Sequence, residues 1–220
     1  MDKRKILEQA RAFVKKTLAN AEGGHDWSHI VRVCNTARHI AANEEADPFL
    51  VELGALLHDI ADSKFHNGDE SVGPQRAADF LHELGVPDEI VENVRQIILH
   101  VSFKNSLDPA SQRIFDSPEL RVIQDADRLD AMGAIGIARA FNYGGFRNRE
   151  LYNPDIQPEV HQSKESYKKS TAPTINHFYE KLLLLKDGMH TETGRALALE
   201  RHVFMEAYLQ RFYDEWEGLA

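Results

Sequence analysis

Apolar residues recur every three or four positions along most of this chain, the spacing that places them on one face of an α-helix. Ile6, Ala10, Phe13, Val14 and Leu18 mark a first amphipathic helix, and Ile30, Val33, Cys34, Ala37, Ile40 and Ala41 a second. Leu50, Leu53, Gly54 and Leu57 mark a third. It is entered through Asp47-Pro48, a capping carboxylate followed by proline at the first helical position. Ala77, Phe80, Leu81 and Leu84 give a fourth, ended by Gly85 and Pro87, and Ile90, Val94, Ile97, Ile98 and Val101 a fifth. Helical pattern resumes near Leu120 and runs through Ala138, where Gly133-Ala-Ile-Gly136 supplies small residues that let helices approach closely. Two long helices close the chain, one through Ile175, Phe178, Tyr179, Leu182 and Leu183, the other through Met205, Leu209, Phe212 and Trp216.

No run of alternating or β-branched residues stands out as a strand, and no internal repeat is visible. The expected fold is an all-α helical bundle with C-terminal helices and irregular insertions near 102–118 and 142–173. A loop as long as the second, inside a compact domain, is usually a lid, a binding loop or a disordered segment. No linker divides the chain, so one domain over 1–220 is expected.

Composition narrows the function classes. The 220 residues carry a net charge of -9, which argues against tight binding to the backbone of long nucleic acid. No apolar stretch approaches the ~18 residues of a membrane span, and no apolar run follows the basic start. One cysteine, Cys34, excludes an intramolecular disulfide framework. These features point to a cytoplasmic protein in a reducing compartment, monomeric or homodimeric. The 11 histidines are the unusual count, and their positions matter.

Two His-Asp dipeptides occur, His25-Asp26 and His58-Asp59, where chance gives about one for 11 His and 16 Asp, so the dipeptide by itself decides nothing. Context separates them. His58 lies four residues after Gly54, on the apolar stripe and at the end of a helix. On that dipeptide alone, a hydrogen-bonded core histidine is the simpler account. His29 changes the balance. It opens the second helix, where Asp26 or Ser28 can cap, and it shares the apolar face with Val33 and Ala37. A third helix brings Asp125-Ala-Asp127-Arg-Leu. His29, His58, Asp59 and Asp127 together offer two imidazoles and two carboxylates. That mixed nitrogen and oxygen set suits a divalent ion with open positions, and it lacks the thiolates of a closed structural zinc site.

The order His29 … His58-Asp59 … Asp127 resembles the H…HD…D signature of the HD-domain metal-dependent phosphohydrolases. The strings His-Asp-Trp-Ser-His-Ile-Val-Arg-Val, Ala-Leu-Leu-His-Asp-Ile and Asp-Ala-Asp-Arg-Leu-Asp-Ala-Met-Gly-Ala-Ile-Gly carry the likeness. With His177-Phe-Tyr-Glu-Lys-Leu-Leu183 and Arg211-Phe-Tyr-Asp-Glu-Trp216 they are similar to a bacterial YedJ/YpgQ-like subfamily, over nearly the whole chain. The resemblance implies a metal-binding core at about 20–140, a C-terminal helical part at about 174–217, and one divalent ion held by His29, His58, Asp59 and Asp127. Mn²⁺ is favoured, with Mg²⁺, Fe²⁺, Co²⁺ and Ni²⁺ as alternatives. Asp125 competes with Asp127 for the fourth position. Asp127 is preferred because Ala-Asp-Arg-Leu resembles the last motif of other HD proteins, which leaves Asp125 to orient a ligand.

The surrounding residues suggest how substrate is handled. Asp62 lies one turn after His58, where related enzymes carry a glutamate that aims or deprotonates the water, so it is the catalytic candidate. Lys64, His100 and Lys104 are candidates to bind phosphate. Arg147, Arg149, Lys164, Lys168 and Lys169 form a local positive set, with Tyr143, Phe146 and Tyr152 available to stack on a base. Ser63 and Lys64 stand where HD enzymes of guanosine tetraphosphate carry Glu-Asp, which argues against that activity. The resemblance therefore implies a phosphohydrolase on a small phosphorylated substrate, most readily a nucleoside triphosphate cleaved to monophosphate and pyrophosphate. A phosphomonoesterase and a non-catalytic nucleotide- or metal-binding regulator are the alternatives.

Overall fold

The computed structural model describes residues 1–19, 26–61, 69, 71–101, 115–159 and 171–220. The described residues are helical, without strands. They comprise α1 (Lys3–Thr17), α2 (Trp27–Ala41), α3 (Pro48–Leu57), α4 (Val72–Glu83), α5 (Asp88–His100), α6 (Pro118–Asp130), α7 (Gly133–Phe146), α8 (Asn176–Glu180), a 3₁₀ segment (Leu182–Gly188) and α9 (Glu192–Trp216). No described helix is long and apolar enough to cross a membrane. The chain forms two compact units, Met1–Asp127 and Arg128–Ala220, and the boundary falls within α6.

In the first unit α3 is the central element, packed against α1, α2 and α5. Its composition explains this. Phe49, Val51, Leu53, Gly54, Ala55, Leu56 and Leu57 are all buried, and a helix apolar on every side is stable only when surrounded. The Asp47 carboxylate accepts from the Phe49 N–H at 2.8 Å and starts the helix, with Pro48 behind it. α4 ends in a left-handed Gly85 with φ of 68°. There the Gly85 N–H donates to His82 O and the Val86 N–H to Leu81 O, a Schellman pair that satisfies two terminal carbonyls. Phe13 of α1 stacks on Phe80 of α4 with centroids 4.1 Å apart.

The second unit corrects three boundaries. The pattern from Leu120 to Ala138 reads as one helix, but it breaks at Ala131-Met132. Gly133 takes φ of 67°, the left-handed region in which a side chain is strained. Arg201 of α9 fills the break, and its guanidinium donates to Leu129 O. Apolar positions at 129, 132, 136 and 137 keep helical spacing across the break, so periodicity alone conceals it. The irregular stretch expected from 142 begins only after Phe146. The long helix expected around Ile175–Leu183 is instead the five-residue α8 and the 3₁₀ segment. Lys181, with φ of -147°, separates them, and Leu182 and Leu185 are buried at 3₁₀ spacing. α9 packs on α7 and the 3₁₀ segment. Phe141, Phe178, Tyr208 and Phe212 form its aromatic core.

Candidate metal centre

Three helix ends in the first unit aim polar side chains at one point. The Asp26 carboxylate caps α2 by accepting from the His29 N–H at 2.9 Å. His29 therefore sits in the first turn, on the stripe of Ile30, Val33, Cys34 and Ala37, and its side chain is buried. His58 is the residue that closes α3. Its Nδ1–H donates to Ala55 O at 2.8 Å. With the proton placed there, Nε2 keeps its lone pair and points it away from the helix. Ser117 caps α6 through the Leu120 N–H. Val122, Ile123, Ala126 and Leu129 bury one face of α6, which leaves Asp127 at its edge.

The donor atoms converge. His29 Nε2 lies 3.3 Å from His58 Nε2. Asp127 Oδ1 lies 3.4 Å from His29 Nε2 and 3.9 Å from His58 Nε2. One ligand atom from each of His29, His58 and Asp59 falls within 4.8 Å of the others. Ligands ~2.1 Å from one ion stand about 3.0 Å apart at right angles and about 3.4 Å apart at the tetrahedral angle. The 3.3 Å and 3.4 Å separations match those spacings, the 3.9 Å one is wider, and the donor types suit a divalent ion. Two imidazole nitrogens facing each other with two carboxylates beside them supply the mixed donors and the negative charge that a divalent ion requires. Both imidazoles are almost fully enclosed, whereas the Asp127 side chain is 32% exposed, so the centre opens on the Asp127 side.

The HD domain profile matches residues 26–132, which spans all four of these side chains. YpgQ of Bacillus subtilis is 37% identical over 219 residues, covering 100% of this chain and 98% of YpgQ. The chain belongs to the HD-domain family and is a YpgQ-like member of it. The crystal structure of an HD-superfamily hydrolase from Bacillus thuringiensis aligns with TM-score 0.78 and 39% identity, over 98% of this chain and 99% of that one. The crystal structure of B. subtilis YpgQ in complex with ADP aligns with TM-score 0.76 and 35% identity, over 100% of this chain and 99% of that one. The protein is thus an HD-superfamily, metal-dependent phosphohydrolase.

The other residues singled out in the sequence fall in several places. Asp62, Lys64 and Lys104 lie outside the described residues, as do His25, Lys164, Lys168 and Lys169. His100 ends α5 half-buried, with Nδ1 bonded to Gln96 O at 2.8 Å, and it is not one of the converging donors. Asp125 is fully buried in α6. Arg128 donates to Gly188 O at 2.7 Å. In the second unit Arg147 and Arg149 line a cavity of about 360 Å³ with Asn153 and Thr171. Tyr143 and Phe146 are exposed, and the Arg149 guanidinium lies 5.6 Å from the Tyr143 ring centroid. Tyr152 is not available to stack on a base. Its ring packs edge-on against Phe212, Tyr213 and Trp216.

Sequence reasoning missed Gln124. Its side-chain amide donates to His100 O at 2.8 Å and ties the end of α5 to α6 three residues before Asp127. The one available signal was a polar residue between the core residue Ile123 and Asp125.

Proposed function

We propose that this HD-domain phosphohydrolase cleaves nucleoside triphosphates to monophosphate and pyrophosphate, with Mn²⁺ as its favoured ion. The approach of donor atoms of His29, His58 and Asp59 to within 4.8 Å of one another, with the Asp127 carboxylate beside both imidazoles, supports the reading. The choice of a nucleotide is supported by the YpgQ complex with ADP, a relative aligned over the whole chain.

These four side chains would hold a divalent ion, which would supply Lewis acidity to a phosphoryl oxygen and lower the pKa of a water. The chain's own residues do the rest. The Ala55 carbonyl holds the His58 proton on Nδ1 and keeps Nε2 facing the centre. Asp26 anchors the turn that carries His29. The buried imidazole walls leave the Asp127 side as the approach for substrate. Asp62 takes the proton of the attacking water. Lys64, His100 and Lys104 neutralise phosphate oxygens and so favour pyrophosphate as the leaving group.

The test is turnover of a panel of nucleoside mono-, di- and triphosphates with Mn²⁺, Mg²⁺, Co²⁺ and Ni²⁺, with the products identified. Pyrophosphate from triphosphates supports the proposal. Inorganic phosphate released from monophosphates, with triphosphates left intact, replaces it with a phosphomonoesterase. In the same assay Asp62→Asn is expected to lose at least about a hundredfold in kcat with metal still bound. Full turnover by that variant removes Asp62 from the mechanism.

A further inference from the structure

The contact that governs how closely two of the ion-holding helices approach lies one turn from the centre itself. In α3, Gly54 precedes His58 by four residues, and in α6, Ile123 precedes Asp127 by four. The pair Gly54 and Ile123 therefore repeats the pair His58 and Asp127 one helical turn away. The helices meet there with no room to spare. A Cβ at Gly54 would stand 2.7 Å from Ile123 Cδ1 and 3.3 Å from Ile97 Cγ2. Ile123 and Ile97 are 0% and 1% exposed, so a methyl displaced from either must displace its own neighbours in turn.

We propose that Gly54 is a positioning residue for the metal centre. Its lack of a side chain lets α3 seat against Ile123 of α6 and Ile97 of α5, and the depth of that seat sets the spacing between the His58 imidazole and the Asp127 carboxylate. The inference rests on the ligand set proposed above. Those two donors already stand 3.9 Å apart, at the wide end of the ligand spacings in the centre. Coordination distances hold to within about 0.2 Å. A side chain at position 54 that moves the helices apart by a few tenths of an ångström takes one of the two ligands out of reach. Neither Gly54 nor Ile123 needs to touch the ion for this to happen.

The experiment measures Mn²⁺ affinity by isothermal titration calorimetry on metal-stripped full-length protein, alongside the melting temperature of the metal-free form. Gly54→Ala is expected to raise the Mn²⁺ dissociation constant about tenfold. Ile123→Val deletes Cδ1, the atom a new methyl would meet. Added to Gly54→Ala, it is expected to bring the dissociation constant back to within about threefold of wild type. A role in packing alone predicts a lower melting temperature with Mn²⁺ affinity unchanged, and that result overturns the proposal. Loss of affinity that Ile123→Val does not rescue also overturns it. If Gly54→Ala does not fold, the double variant is the test, and tenfold weaker binding there counts against the proposal. His58→Ala in the same titration separates the two levels, since wild-type affinity in that variant sinks the ligand set itself.

Discussion

Replacing His58 with alanine separates what the imidazole contributes to the metal from what it contributes to the fold. An ion that binds only the folded state at a hundredfold excess over its dissociation constant stabilises that state by about 2.7 kcal/mol. Unfolding entropy near ~2.1 cal/mol/K per residue gives about 0.46 kcal/mol/K for the 220 residues. The ion then raises Tm by about 6 °C if the whole chain melts together, and by about 10 °C if residues 1–127 melt as a unit of their own. Loss of one of four ligands weakens binding by at least about a hundredfold, which brings the stabilisation at the same free metal to about 0.4 kcal/mol and the shift to about 1 °C. The substitution also deletes the bond from Nδ1 to Ala55 O, so the metal-free variant is expected to melt a few degrees below wild type. The informative quantity is therefore the metal-induced shift within each protein, read by scanning calorimetry with and without Mn²⁺ after chelator treatment. A full shift retained by both His58→Ala and His29→Ala would refute the convergence of these imidazoles on an ion.

Three further outcomes follow from the packing. Burial pushes the Cys34 thiol from 9.0 up to about 12, against a smaller opposing effect of Arg11, so it should resist alkylation at pH 8 until the protein unfolds. The unfolded thiol ionises near 9 while the folded one stays protonated, so this contribution is intact below pH 9 and is lost between pH 9 and about 12 at ~1.4 kcal/mol per unit. Urea titrations of wild type and Cys34→Ala across that range check this, since the wild-type loss should exceed that of the variant by about this slope, the remainder belonging to half-buried tyrosines such as Tyr213. Arg139→Met removes the guanidinium 2.7 Å from the buried Asp130 carboxylate and should cost about 2 kcal/mol, less than a fully buried pair because Arg139 is part exposed. Thr191→Ala removes the cap on the Gly194 N–H and should cost about 1 kcal/mol by denaturant unfolding, with Mn²⁺ affinity unchanged.

The helices of the first unit were legible because each carries local signals that agree with one another. Asp47-Pro48 starts α3, Gly85 ends α4, and Asp26 caps α2, and each does so through atoms within a few residues of itself. The candidate donors were legible for a related reason. Histidines on apolar stripes must be paired or ligated, and a carboxylate beside a buried imidazole needs a reason to be there. The second unit was read less well. The break before Gly133 is held open by Arg201, nearly seventy residues further on, and the segment from Asn176 to Gly188 changes helix type at a single residue. Periodicity cannot report either, because apolar spacing continues through both. Tyr152 looked like a ring free to stack until Phe212, Tyr213 and Trp216 were found around it. What the chain by itself determined was therefore the all-helical class, the helices of the first unit and the chemical type of the candidate donors, all encoded in local spacing. Distances between side chains far apart in sequence belong to the tertiary structure alone. The 3.3 Å between two histidines and the absence of room at Gly54 arise only when separate helices pack, since close packing couples residues that no local rule connects.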